Sequence, residues 1–301
     1  AHYFGDSRSY NWRNPIRKPT NSISNLQECF RDWRQLRFTR PPPRRGNPLQ
    51  LMRARHRHFN PRSANATFAW DTRYNSDGYV DGNSVGTWTD RRGSTATEMT
   101  AANQPIWQND STNNINGNPV LQFDGSNDRL ATSSITSQTS VSFVFVGYRP
   151  WTTGKFATLI ASNNYGGSSG IGLLTTGGAF WDWQNKDFIF VGNGFQSANT
   201  PRAVGSYGAI ADNTAHVISG VLSNSESRTW LDGARMSTRV ESTANVLSLT
   251  GAITIGYNIS AGDYGNYSIG ILTYYKDLGL SNSMRRRLEQ ASAFSFKIAC
   301  N

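Results

Sequence analysis

The stretch VSFVFVGY, Val141 to Tyr148, decides the fold. It carries no charge and is built from valine and aromatic side chains, which suit a pleated strand. Working outward, five more stretches share its character: DFIFVGNG (187–194), HVISGVL (216–222), RTWLDGARM (228–236), AITIGYN (252–258) and YSIGILTYY (267–275). Each is short, rich in Val, Ile or aromatics, and bounded by turn residues. LSNSESRTWLDG (222–233) reads as a hairpin between two of them. Many short strands with almost no helix between them call for an antiparallel sandwich. The exception is SNSMRRRLEQASAFSFKI (281–298), which reads as a helix. Ser281 or Ser283 would cap it, with Met284, Leu288, Ala291 and Phe294 or Phe296 on one face. No repeat of solenoid period occurs.

The first 62 residues are of another kind. They carry 14 basic and 3 acidic side chains, against 16 and 17 in residues 63–301. The net charge of +10 therefore belongs to one end. Such asymmetry points to a basic arm that meets an anionic partner: nucleic acid, a membrane surface or an acidic protein face. The strip RFTRPPPRRGNPLQLMRARHRHFNPR (37–62) has no lysine and no acid. Its arginines are Arg37, Arg40, Arg44, Arg45, Arg53, Arg55, Arg57 and Arg62. The guanidinium fork suits fixed bidentate contacts better than a lysine ammonium does. Arg53, Arg55 and Arg57 would line one side of an extended chain, and the triple proline at 41–43 favours an extended path. One helix is expected within SNLQECFRDWRQLRF (24–38), capped by Ser24 with Gln27 three residues on. Composition alone would allow a disordered tail. The charge confinement and the arginine alternation favour an anchoring arm, with acidic protein neighbours at least as suitable as phosphate.

A resemblance starts just after the arm. TFAWDTRYNSDGYVDGNSVGTWTDRRG (67–93), NQPIWQND (103–110) and INGNPVLQFDGSNDRLAT (115–132) come in order. They resemble the opening of the concanavalin A-like lectin/glucanase superfamily, and more narrowly the laminin-G-like domains of bacterial and phage proteins. The carrying residues are Trp70-Asp71, Trp88-Thr89-Asp90, Gln104-Pro105, and Asn116-Gly117 through Phe123-Asp124-Gly125. TWLDG (229–233), ITIGYN (253–258) and SIGILTYYKDLGLSNSMRRRLEQ (268–290) resemble the closing strands and final helix. The resemblance covers about residues 65–299. It implies an all-β, two-sheet antiparallel jelly-roll sandwich over residues 63–301, behind a basic arm at 1–62 and ending in a helix. It implies little about function, because such folds host lectins, glucanases and structural modules alike.

Catalytic chemistry finds few residues. Glycoside hydrolysis needs two carboxylates at a set separation, yet the five glutamates (Glu28, Glu98, Glu226, Glu241, Glu289) are isolated. Asp182 and Asp187, five apart on a strand, would point to opposite faces. Of the four histidines, only His216 lies outside the arm, where it opens a strand and reads as structural. GGSSGIG (166–172) lacks the lysine of a phosphate loop. The chain is expected not to be an enzyme. The cysteines, Cys29 and Cys300, are too far apart and too few for a disulfide framework or a zinc site. No apolar run is long enough to span a bilayer as a helix, and AHYFGDSRSY (1–10) lacks the core of a signal peptide, so none is expected.

Sugar binding is the natural role for this fold, and stacking aromatics would serve it. Trp151, Tyr165, Trp181 and Trp183 are the candidates, weighed against the alternative that they are core. No cofactor is expected. Calcium is conceivable at GSNDRL (125–130) or SAGDYGN (260–266), although both read equally as turns. The leading expectation is a structural or adhesive component of a large assembly, a virion above all, as capsid decoration, fibre or tail-associated protein. Residues 1–62 would engage other proteins of the assembly, and the sandwich would display itself to glycans. A secreted or surface carbohydrate-binding protein, and a nucleic-acid-associated structural protein, are the alternatives.

Overall fold

The computed structural model describes residues 65–75, 77–135, 140–148, 156–162, 172–176, 190–192, 202–204, 214–223, 227–235, 239–240, 251–258 and 263–299. The arm, with its eight strip arginines and Cys29, lies outside the described residues, as does Cys300. The strands are β1 (Phe68–Asp71), β2 (Thr87–Thr89), β3 (Thr95–Thr97), β4 (Ile106–Gln108), β5 (Val120–Asp124), β6 (Leu130–Thr132) and β7 (Ser140–Tyr148). They continue as β8 (Phe156–Ser162), β9 (Gly172–Thr176), β10 (Phe190–Gly192), β11 (Arg202–Val204), β12 (His216–Ser223), β13 (Ser227–Leu231), β14 (Ala234–Arg235) and β15 (Arg239–Val240). The last are β16 (Ile253–Ile255), β17 (Tyr257–Asn258), β18 (Asp263–Tyr264) and β19 (Asn266–Lys276), followed by helix α1 (Asn282–Phe296).

Two antiparallel sheets form the sandwich. One runs β14-β13-β12-β7-β19-β5-β4, with β1 also paired to β19; the other runs β15-β11-β10-β9-β8-β16-β6-β3-β2. β17 and β18 make a separate hairpin. The stretch at 141–148 is the middle of the first sheet, between β12 and β19. Its alternate side chains serve two cores. Phe143 and Phe145 enter the layer between the sheets with Trp70, Trp88, Phe123, Leu272 and Tyr274. Val144 and Val146 enter a second layer with Leu288, Ala293 and Phe296 of α1. The helix thus covers the outer face of the first sheet, which is why β7 is apolar almost throughout.

β19 reverses which parity faces inward. Its register shifts between Ile269 and Ile271, so Ile269 and Leu272 both reach the inner core while Ile271 reaches the outer one. This is a β-bulge, one extra residue that re-aims the side chains beyond it. Gly270 sits at the shift. A Cβ there would lie 2.5 Å from the Phe296 ring, so the glycine lets the helix approach.

Three expectations are corrected. RTWLDGARM is not one strand: Asp232 and Gly233, at φ 48° and 81°, turn the chain between β13 and β14. Two successive left-handed residues are what a two-residue hairpin requires, and Asp-Gly supplies them. AITIGYN breaks at Gly256, at φ 79°, into β16 and β17. The buried face of α1 holds Arg285, Leu288, Glu289, Ser292, Ala293 and Phe296, while Phe294 is exposed. The apolar pattern therefore missed a buried ion pair. Ser281 is the cap, its Oγ accepting the Met284 N–H at 3.3 Å.

The residues that carry the resemblance are structural. Trp70 is fully buried, stacks on Trp88 at 5.8 Å, and donates from Nε1 to the Trp88 carbonyl at 3.1 Å. Asp90 accepts the Ala69 N–H at 2.9 Å across the sandwich and the Arg92 and Ser94 N–H groups at 2.8 and 2.7 Å. Asp71, 5% exposed, holds Arg73 and Arg91. His216 Nδ1 lies 2.7 Å from Asp232 Oδ2, while Asp232 Oδ1 accepts the Val217 N–H at 2.9 Å. The histidine thus pins the β13–β14 turn, as its reading as structural expects.

Candidate functional site

Three of the connections that carry the chain from one sheet to the other meet at one corner. β3 leads to β4 through 98–105, β5 to β6 through 125–129, and β16 to β19 through a segment whose described parts are 256–258 and 263–265. Such corners cannot continue a ladder, so their side chains are free to do other work. Gly256 permits a close approach: a Cβ there would meet the Phe123 ring at 2.3 Å and the Asp128 carbonyl at 3.1 Å.

Each corner contributes to one cluster. Arg129 Nε donates to Glu98 Oε2 at 2.6 Å, and the Arg129 N–H bonds the Asn103 carbonyl at 2.9 Å. The guanidinium carbon stands 5.5 Å from the Tyr257 ring centroid. Tyr257 stacks on Tyr264, with centroids 4.4 Å apart and planes 25° from parallel. These two residues face each other across the β17–β18 hairpin. The cluster is therefore a half-exposed guanidinium, 34% exposed, beside a paired aromatic surface, with a carboxylate only 10% exposed behind it.

The electrostatics follow from this packing. Burial works against the Glu98 charge, but hydrogen bonds from Arg129 and from the Thr100 N–H outweigh it and hold the carboxyl below its usual value. The Glu98 partnership raises the Arg129 guanidinium further, against the opposing effect of burial. Burial raises the Tyr257 hydroxyl, and the neighbouring Tyr264 adds to that. Asp128 lies beneath, 6% exposed. Burial pushes its carboxyl up to about 6, although it accepts the Asp124 N–H at 2.8 Å. The same corner was weighed above for calcium. Asp124 Oδ1 instead accepts the Ser126 and Asn127 N–H groups at 2.7 and 3.2 Å. Among the described residues no three His, Cys, Asp or Glu side chains gather as a metal site would require.

The aromatic candidates Trp151, Tyr165, Trp181 and Trp183 lie outside the described residues, as do Asp182 and Asp187. The cluster that the structure does bring together, Glu98, Arg129, Tyr257 and Tyr264, was not singled out from sequence. A signal existed. GSNDRL and SAGDYGN, the two polar loops picked out as turns, carry Arg129 and Tyr264 and adjoin the same hairpin.

Together the sheets and this corner define a two-sheet antiparallel β-sandwich with an aromatic and guanidinium cluster at one corner. No protein-family model matches the chain, and no curated protein matches it. Solved structures do. The chain is similar to the binding domain of Paraclostridial Mosquitocidal Protein 1, with a TM-score of 0.52 at 10% identity, over 76% of this chain and 52% of that one. It is similar also to the Botulinum neurotoxin serotype G binding domain, with a TM-score of 0.52 at 14% identity, over 76% and 51%. The chain spans about half the length of these structures. At such identity the likeness is one of fold. No helix among the described residues is long and apolar enough to cross a membrane.

Proposed function

We propose that the chain is a non-enzymatic, glycan-contacting structural component of a large assembly, a virion above all. In this reading the sandwich is a laminin-G-like module of the bacterial and phage type. Residues 1–62 anchor it among the other proteins of the particle. The observation that carries the glycan contact is the corner cluster. Stacked tyrosines offer an aromatic surface to the C–H face of a sugar, and Arg129 beside them offers hydrogen-bond donors already held in place by Glu98. Two solved structures of similar fold are toxin binding domains, which accords with a recognition role.

The anchoring half of the proposal rests on charge. Fourteen basic residues against three acidic ones in residues 1–62 contrast with the near-neutral remainder. Two experiments test the halves separately. A glycan array probed with the full chain should show binding that Tyr257→Ala and Tyr264→Ala each weaken; an array with no bound glycan removes the contact. Deleting residues 1–62 should abolish incorporation into the particle while leaving a folded sandwich; incorporation of the truncated chain removes the anchor. The same charge contrast favours one further reading, a nucleic-acid-associated structural protein. Binding to B-DNA should then fall with salt at a logarithmic slope of about −0.9 per phosphate contact, and a flat response discards that reading.

A further inference from the structure

We infer that the corner site takes the oxyanion group of an acidic sugar, a carboxylate or sulfate borne on the ring. This rests on the glycan-contacting reading and adds the chemical class of the ligand. The argument is an inventory of donors and acceptors. Glu98 is the carboxylate that meets Arg129, and both its oxygens are taken. Oε1 accepts the Thr100 N–H at 2.8 Å, and Oε2 accepts Arg129 Nε at 2.6 Å. In the same corner one oxygen of each neighbouring carboxylate, Asp124 Oδ1 and Asp128 Oδ2, accepts N–H groups of its own loop. The stacked Tyr257 and Tyr264 each carry a hydroxyl able to donate.

Among the described residues no acceptor meets the two Nη groups of Arg129, and the side chain is 34% exposed. A guanidinium fastened along its Nε edge still presents the edge formed by its Nη groups. One carboxylate or sulfate satisfies both Nη groups at once, whereas a sugar hydroxyl satisfies one donor and brings a donor of its own. The phenol O–H groups of the stacked pair are further donors near the fork. Glu98 is thus a positioning residue: it fixes the fork by a buried contact and does not compete for the ligand from the surface. Holding the fork before the ligand arrives lowers the ordering cost of binding.

The test is a titration of the full chain, followed by nuclear magnetic resonance, at fixed ionic strength. The probes are sodium glucuronate, glucose and sodium sulfate. Glucuronate should bind at least about tenfold more tightly than glucose, the difference a hydrogen-bonded charge commonly makes. Sulfate should bind more weakly than glucuronate and should compete with it. Arg129→Gln should erase the preference for glucuronate, Arg129→Lys should lose most of it because the fork is lost while the charge stays, and Tyr264→Phe should reduce it. Equal binding of glucose and glucuronate, with both lost in Tyr257→Ala, overturns the inference and leaves the glycan reading standing. A glucuronate preference that survives both Arg129→Gln and Tyr264→Phe also overturns it, because the acid is then held elsewhere. Sulfate binding as tightly as glucuronate, or no binding by any probe, overturns the inference and the glycan reading together. Comparing the three probes on the unmodified chain needs no variant to fold.

Discussion

Removing the Glu289 carboxylate should be among the most damaging single changes to the described structure. Glu289 and Arg285 face each other one helical turn apart, with side chains 2% and 3% exposed. Glu289 also accepts the Ser219 hydroxyl of β12, which ties α1 to the first sheet. The Arg285 guanidinium lies 3.9 Å from the Trp230 ring centroid. In Glu289→Ala the guanidinium stays buried without its counter-ion and cannot shed its charge. Breaking such a pair costs about 3–5 kcal/mol, and the retained cation–π contact should keep the loss near the lower end. Arg285→Ala should cost less in mild acid, because the stranded carboxyl can neutralise itself by binding a proton. Burial already raises Glu289 against the lowering effects of Ser219 and Arg285, and losing Arg285 should raise it further. A folded value above the unfolded one means stability that is present at low pH and falls as pH rises through the folded value. Arg285→Ala should therefore lose stability from mild acid to neutral pH more steeply than the parent. The double change Arg285→Met with Glu289→Leu should be close to neutral or stabilising. Urea unfolding followed by tryptophan fluorescence measures all three, with Trp230 as a local reporter. The reasoning is refuted if Glu289→Ala costs under about 1 kcal/mol, or if the double variant is as unstable as the worse single one.

Three further outcomes follow from particular contacts. Gly147→Ala should destabilise by about 3 kcal/mol in the same urea assay, since its Cβ would lie 2.3 Å from both the Phe145 ring and the Ser268 carbonyl, and the backbone cannot yield. Trp70→Ala should cost at least about 3–5 kcal/mol, removing a fully buried indole and leaving the Trp88 carbonyl without its donor. Asp128→Asn should flatten the pH dependence of the melting temperature between about 4 and 6. The parent carboxyl is raised from 3.8 to about 6, so its contribution is present below the lower value and lost as pH rises through the higher one.

The middle of the fold was legible because its strands are long and doubly covered. β7, β12 and β19 read as strands from valine, isoleucine and aromatic content alone, and the Ser281 cap marked the helix. The early strands are three to five residues long, too short for a periodicity to declare itself. The resemblance placed them where the local pattern did not. Sequence failed where one residue changes the geometry. Gly256 and the Asp232–Gly233 pair each sit inside an apolar run that reads as continuous, yet positive φ breaks it. Buried charge on α1 escaped for another reason: Glu289 and Arg285 are polar by type and apolar by position, and only Ser219 and Trp230, far away in the chain, explain them. The candidate site was illegible because its four residues come from three corners, with residues of different corners between 31 and 166 apart along the chain. No local spacing unites Glu98, Arg129 and Tyr257. What unites them is that β5 and β19 are neighbours, as are β6 and β16.

The central proposal is that this β-sandwich contacts glycans through its corner cluster, not through a catalytic pair. One measurement bears on it most directly: glycan-array binding by the full chain beside its folded Arg129→Gln and Tyr257→Ala variants. Binding to a defined set of glycans, lost or weakened at least about tenfold in both variants with no glycan released as a cleaved product, is the predicted result. Undiminished binding in both folded variants, binding of nothing by the parent chain, or hydrolysis of a bound glycan would contradict it.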